Sequence, residues 1–342
     1  MREKILVIHQ GALGDVILSF PALLALKEER GACLAMLCKD QIGKVACDLG
    51  VATVHFPVER ARFSGLFAKD TPLDMQAFID DYDAAVLIGF SDDMSRRIRQ
   101  HHRGRTYRIA PRPPSGEEVH VAGHIRRQLE IKGLLRNSDD WGVRHGERET
   151  WASRTKVGKG KIGARASSLR HGPVEDSLSL REQDPILIHP GAGSRRKRWS
   201  VNNFIALAGA VTEMNGEKAV FLLGPAESDL LPVIKKRVEG KFQIHQLQDL
   251  SAAMTFMKAA KCFIGNDSGL AHLAAMMGVP TVAIFGPSSP KRWRPVGKAV
   301  KVLRGAPDCA PCFETGKTNC HEAQCLRGVS VDMVLEAAKA VA

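Results

Sequence analysis

"VIHQGALGDVILSFPALLALKE", residues 7 to 28, is the stretch whose reading decides the fold. The apolar run KILVI (4 to 8) breaks at Gly11 and Gly14, and the chain then turns amphipathic up to about Lys27. A β-rich run, a glycine turn and a helix in that order form the first half of a strand-helix-strand crossover. CLAMLC (33 to 38) supplies the next strand, followed by VATVHF (51 to 56) and AAVLI (84 to 88). A second series begins at PILIHPG (185 to 191) and continues with KAVFLLG (218 to 224), FQIHQL (242 to 247), KCFIGND (261 to 267) and PTVAIFG (280 to 286). Helical patterns lie between these runs, such as Phe204, Leu207, Ala208 and Val211 behind Ser200, a residue type suited to an N-cap. Alternation of this kind predicts parallel sheets, so the chain reads as two doubly wound α/β units in tandem.

At 342 residues the chain exceeds what one compact core usually holds, which also favours two domains. The stretch from about Asn137 to Asp184 is polar and rich in Gly, Ser, Lys and Arg, without sustained apolar periodicity. The interdomain linker is placed in its later part, giving a first domain over 1–170, linker included, and a second over 171–342.

Composition is that of a soluble globular protein, 44% hydrophobic and 25% charged. No apolar run is long enough to span a bilayer, and the N-terminus lacks the residue order of a signal peptide, so the expected address is the cytoplasm. A formal charge of +12 attracts anions, whether nucleic acid, anionic lipid or phosphorylated small molecules. Nucleic acid is disfavoured, because no helix-turn-helix, zinc-finger or RNP-like motif is present and aromatics for base stacking are few.

Three segments concentrate the chemistry. In the first, Asp15 sits where strand gives way to helix, a place where the dipole favours a charged carboxylate. It is either a helix cap or a proton acceptor facing a cleft. The segment lacks the GxGxxG spacing of a dinucleotide site, and a carboxylate there would repel a pyrophosphate. In the second, HPGAGSRRKRWS (189 to 200), Gly191, Ala192 and Gly193 let backbone approach a ligand. Arg195, Arg196, Lys197 and Arg198 follow as charge for a phosphate. In the third, FIGNDSGLAHLAAMMGVPTVAIFGPSSP (263 to 290), a strand ends at Asn266 and Asp267, and the amides of Ser268, Gly269 and Leu270 open a helix that carries His272. Such amides hold a diphosphate, with Asp267 and His272 as flanks. FGPSSPKRW (285 to 293) ends the next strand as a second wall of the same pocket.

Together these segments resemble glycosyltransferase family 9, the group that contains the ADP-heptose:lipopolysaccharide heptosyltransferases. GALGDVILSFPALLALK resembles the family's N-terminal motif; HPGAGSRRKRW and GNDSGLAHLAAMMGVPTVAIFGPSSP resemble its donor-site motifs. The resemblance implies a GT-B architecture, two Rossmann-like domains facing a central cleft, with acceptor bound mainly by the first and donor by the second. It implies Asp15 as catalytic base, Gly11 and Gly14 on the acceptor side, and Lys197 on the donor phosphate. Asp267, Ser268, Gly269 and His272 would form the donor loop, and Glu227, in LGPAESD, would hold the nucleoside ribose. His9 stands where the family often has Arg. The reaction implied is a single inverting displacement, without cofactor or divalent metal. The implied partners are a nucleotide sugar, ADP-heptose, and a phosphorylated glycolipid at the inner membrane surface, where the protein would work from the cytoplasm or as a peripheral protein. The basic segment SRRIRQHHRGRTYRIAPR (95 to 112) is either a surface for that acceptor and membrane or an ordinary solvated face.

CAPCFETGKTNCHEAQC (309 to 325) gathers Cys309, Cys312, Cys320 and Cys325. Its spacing is compatible with a metal, with reduced thiols or with redox chemistry, and the sequence does not choose. Two other functions stay in view: a GT-B transferase using a different nucleotide sugar or acceptor, and a non-catalytic protein that binds nucleotide sugar or nucleic acid.

Overall fold

The structure is a computed structural model that describes residues 2–60, 63, 73–89, 92–137, 184–307, 309–313, 320 and 323–342. Its first half alternates β1 (Lys4–His9), α1 (Leu13–Arg30), β2 (Cys33–Cys38), α2 (Asp40–Asp48), β3 (Val54–Pro57), α3 (Leu73–Asp80), β4 (Ala84–Ile88), α4 (Asp92–His101), β5 (Arg105–Ile109) and α5 (Val121–Ile131). Its second half runs β6 (Ile186–His189), α6 (Val201–Asn215), β7 (Ala219–Leu223), α7 (Leu231–Val238), β8 (Gln243–Gln246), α8 (Leu250–Lys258) and β9 (Cys262–Asn266). It closes with α9 (Gly269–Met276), β10 (Thr281–Ile284), α10 (Pro290–Trp293), β11 (Val300–Leu303), α11 (Gln324–Arg327) and α12 (Val331–Val341).

Both sheets are wholly parallel, the first in the order β3-β2-β1-β4-β5 and the second β11-β10-β9-β6-β7-β8. Each winds in two directions from its first strand, leaving a crevice between β1 and β4 and another between β6 and β9. Ligands of open α/β sheets bind at such crevices, beyond the carboxyl ends of the strands. The two doubly wound units expected from the sequence are therefore present. The expected boundary at 170 lies outside the described residues.

Local departures have local causes. The expected strand 51–56 begins only at Val54, because the amides of Val51 and Ala52 both return to the Ala46 carbonyl and close α2. Helix α1 runs to Arg30 and stops at Gly31, whose φ of 60° is a left-handed C-cap. Ser200 does stand at the N-cap of α6, but its side chain makes no capping bond. At α9 the cap is Ser268, whose hydroxyl accepts from the Ala271 amide at 3.3 Å, so Asp267 is not used as a cap.

Helix α1 explains how the halves meet. Val16 to Leu24 are buried without a break, because α1 packs on its own sheet, on α5 and on α9 of the second domain. Pro21 lies within this buried stretch and has no amide to donate to the Ile17 carbonyl. The α1–α9 approach requires glycine at 269 and is tight at Gly14. A Cβ on Gly269 would stand 2.8–2.9 Å from Leu13, and one on Gly14 would stand 3.2 Å from the His272 ring.

A second cross-domain contact forms at the loop after β5. Buried Arg292 of α10 donates to the carbonyls of Pro113 (2.9 Å), Pro114 (2.9 Å) and Glu117 (2.6 Å). His120 donates through Nε2 to the Arg294 carbonyl at 2.9 Å, and Lys291 pairs with Glu118.

Candidate active site

The crevices of the two sheets open onto one cleft of about 820 Å³. Asp15, Gly14 and Arg112 line it from the first domain; Gly193, Lys197, Asp267, Ser268, Gly269 and His272 line it from the second. Segments far apart in sequence are thus brought to one space.

On the first lip, β1 ends at His9 and the chain turns through Gly11 into α1, leaving Asp15 in the first turn with its side chain 14% exposed. The turn is tight: the Gly11 amide donates to His9 Nδ1 at 3.1 Å, and a Cβ on Gly11 would stand 2.7 Å from the His9 ring. His9 therefore carries its proton on Nε2, an atom that is buried without a hydrogen-bond partner. Burial pushes the His9 imidazole down to about 4, against the opposing pull of Asp15. The Asp15 carboxylate is held by Arg112, whose Nη2 lies 3.0 Å from both oxygens.

On the second lip, Asn266 staples two loops. Its amide donates to the carbonyls of Pro190 (2.8 Å) and Gly191 (3.3 Å), and its Oδ1 accepts from the Trp199 amide at 2.9 Å. This fully buried residue fixes the 189–199 loop against the end of β9. Lys197 then meets Asp267 at 2.7 Å. The other three cations do not join it in the cleft, contrary to expectation. Arg195 and Arg198 pair with Asp229 at 3.2 and 2.8 Å, while Arg196 lies over the Phe313 ring at 4.9 Å and reaches Cys312 Sγ at 3.5 Å. Arg195 to Lys197 form a 3-10 turn, which sends successive side chains in different directions.

His272 is 4% exposed, with Nε2 3.9 Å from Asp267 Oδ1 and Nδ1 buried without a partner. Desolvation lowers its pKa to about 4, overcoming Asp267 nearby. A neutral imidazole beside the Gly269 amide leaves the helix start as the main anion-attracting element there. Ser288, also buried with its hydroxyl unpartnered, lines the same space from the loop after β10.

Four expected site residues do not line this surface. Gly11, Gly191, Ala192 and Glu227 are not among the residues that line the cleft. Glu227 is 5% exposed and accepts from the Gly224 amide at 2.8 Å. Its carboxylate fills the place a Cβ on Gly191 would need. Arg112, Asn266, Ser288 and Arg292 were not singled out from sequence. The first had a signal available, an arginine between prolines just past a strand in "APRPPS".

Elsewhere, five arginines of the basic segment 95–112 are ion-paired: Arg96 with Asp93, Arg103 with Asp80, Arg105 with Glu3, Arg108 with Asp92 and Arg112 with Asp15. Cys309, Cys312, Cys320 and Cys325 are thiols, and among the described residues no group of three or more His, Cys, Asp or Glu is placed to hold a metal. Among the described residues no helix is long and apolar enough to cross a membrane.

Two doubly wound parallel sheets opening on a shared cleft define a GT-B protein, and solved structures agree. A glycosyltransferase family 9 protein from Veillonella parvula superposes with a TM-score of 0.73, covering 99% of this chain and 97% of that one at 20% identity. The Escherichia coli ADP-heptose lipopolysaccharide heptosyltransferase II does so with 0.69, covering 99% and 98% at 18% identity. Residues 158–322 match the profile of Glycosyltransferase family 9 (heptosyltransferase). The lipooligosaccharide heptosyltransferase 2 of Campylobacter jejuni is 30% identical over 172 residues, 48% of this chain and 53% of that protein. The chain thus spans about half the length of that curated relative. It is similar to glycosyltransferase family 9 over residues 158–322, and its fold is similar to these solved structures over nearly its whole length.

Proposed function

We propose that the protein is an inverting glycosyltransferase that moves a heptose from ADP-heptose to a lipopolysaccharide inner-core acceptor. The observation that carries the reading is one cleft lined by a carboxylate, Asp15, on one lip and by an amide-and-lysine cradle, Ser268, Gly269 and Lys197, on the other. In the reaction the acceptor hydroxyl attacks the anomeric carbon as the bond to the diphosphate breaks. Its proton passes to Asp15, and the leaving diphosphate's charge is met by Lys197 and the first amides of α9. Lys197 turns from Asp267 toward the diphosphate, and Asp267 and His272 flank it. Glu227, held behind the 189–193 loop, shapes the nucleoside end of the site through Gly191. Gly191, Ala192 and Gly193 keep that loop low, and Gly11 and Gly14 do the same on the acceptor side. The work is done at the cytoplasmic face of the membrane that carries the acceptor.

A donor screen, read by release of nucleoside diphosphate with a deacylated core acceptor, tests the reading. ADP-heptose is the expected donor, and turnover only with another nucleotide sugar overturns that assignment. Asp15→Asn should keep ADP binding and lose transfer by about 10²–10⁴-fold, the usual worth of a positioned base. Unchanged transfer removes Asp15 from the mechanism. Since cation and amides suffice to neutralise the leaving group, EDTA should leave the rate unchanged; an EDTA-sensitive rate would contradict this account of the leaving group.

A further inference from the structure

The carboxylate read as the base is already occupied. Arg112 Nη2 donates to both Asp15 oxygens at 3.0 Å, and Nε lies 3.3 Å from Oδ1. The same guanidinium lies 5.0 Å from the ring centroid of Trp293, a residue of the second domain. Both Asp15 and Arg112 face the cleft. An incoming hydroxyl must compete with this guanidinium for the carboxylate, since Arg112 already takes up most of its roughly four lone-pair sites.

The backbone beneath Arg112 is fixed, so release falls to its side chain. Ala110 exchanges two hydrogen bonds with the Gln128 amide, at 2.9 and 3.2 Å, and the carbonyls of Pro113 and Pro114 are held by Arg292. Pro111, Pro113 and Pro114 restrict the same loop. The Arg112 side chain itself is 44% exposed. A group that draws a guanidinium off a carboxylate must offer a comparable fork of anionic oxygens, which a phosphate or another carboxylate does. Among the described residues, the other cations lining the cleft belong to the second domain and are engaged, Lys197 by Asp267 and Arg292 by the carbonyls of Pro113, Pro114 and Glu117. Among the described residues, Arg112 is thus the cation that the first domain presents to the cleft.

We propose that Arg112 is the receptor for a phosphate group on the acceptor, and that its passage from Asp15 to that anion uncovers the base. The inference rests on the reading of Asp15 as proton acceptor. No covalent bond changes in the exchange. An acceptor without the anion leaves Asp15 tied, so the anion acts on kcat as well as on KM.

The test uses the full-length protein, ADP-heptose and two deacylated acceptors that differ only in a phosphate group. For the unmodified protein, removing the phosphate should lower kcat by at least about tenfold. In Arg112→Ala the two acceptors should have the same kcat within about twofold, and KM for the phosphorylated one should rise about tenfold or more. Arg112→Lys should recover KM in part, as a point charge without the fork. ADP affinity by calorimetry should be unchanged in both variants. A phosphate effect of equal size with and without Arg112, or one confined to KM, overturns the proposal. Loss of ADP affinity in Arg112→Ala instead assigns the guanidinium to the donor diphosphate and also overturns it. One arm is independent of turnover: inorganic phosphate titrated into ADP-saturated protein should bind at least about tenfold more weakly to Arg112→Ala. Equal phosphate binding refutes the receptor, whereas full transfer by Asp15→Asn refutes only the parent reading.

Discussion

Lys197 and Asp267 link the stability of the second domain to the proposed donor site. Asp267 is 5% exposed and would be costly to bury without its 2.7 Å partner, yet the lysine, at 23%, still faces the cleft. Lys197→Ala should lower stability by about 2 kcal/mol, measured by urea unfolding, because it strands a buried carboxylate. It should also weaken ADP binding. Adding Asp267→Asn should restore much of the stability and none of the ADP affinity. If the double variant recovers both, the lysine acts only through Asp267 and does not touch the diphosphate.

At the scale of elements, the decisive contact is the crossing of α1 and α9, the two helices whose first turns border the cleft. Gly269 is the pivot, since any side chain there would press on Leu13. Gly269→Ala should destabilise the protein by about 1–3 kcal/mol, the usual cost of overpacking, and should weaken ADP binding by shifting the amides of α9. Leu13→Gly in the same chain, which also removes the Cβ, should return part of the lost melting temperature by making room. Absence of any such rescue would mean that the strain lies in the α9 backbone and not in the helix crossing.

For the whole molecule, the buried imidazoles set the response to acid. His9 and His272 are lowered by burial from 6.5 to about 4, and His189, bonded through Nδ1 to the Leu222 carbonyl, is lowered by the same cause. Above 6.5 the folded and unfolded chains are both neutral at these sites. Between about 6.5 and 4 the unfolded chain takes up protons that the folded one refuses, so stability falls as pH falls. The His9 and His272 shifts each correspond to a loss on the order of 3 kcal/mol once pH 4 is reached. Melting temperature should therefore drop steadily across that window. His9→Asn, whose side-chain oxygen can accept from the Gly11 amide in place of Nδ1, should show a shallower slope; an identical slope would place the acid sensitivity elsewhere.

The alternation of short apolar runs with amphipathic stretches was enough to read two doubly wound parallel sheets, because strand and helix periods are local properties of the chain. The glycine turns at 11–14 and 268–269 and the position of Asp15 were legible for the same reason: each marks a change of period. Which cation of 195–198 faces the cleft was legible only through the family resemblance, which singled out Lys197, and not from the chain's own pattern. Four in a row at 195–198 look equivalent, and only the 3-10 turn and Asp229 separate Lys197 from its neighbours. Nor was the Asp15–Arg112 pair, which joins residues 97 positions apart, or the staple made by Asn266. Periodicity is written along the chain, whereas the partner of a charge is decided by what the folded sheets bring within a few ångströms of it. Sequence alone determined the sheets and the turns, and tertiary structure decided which charges meet.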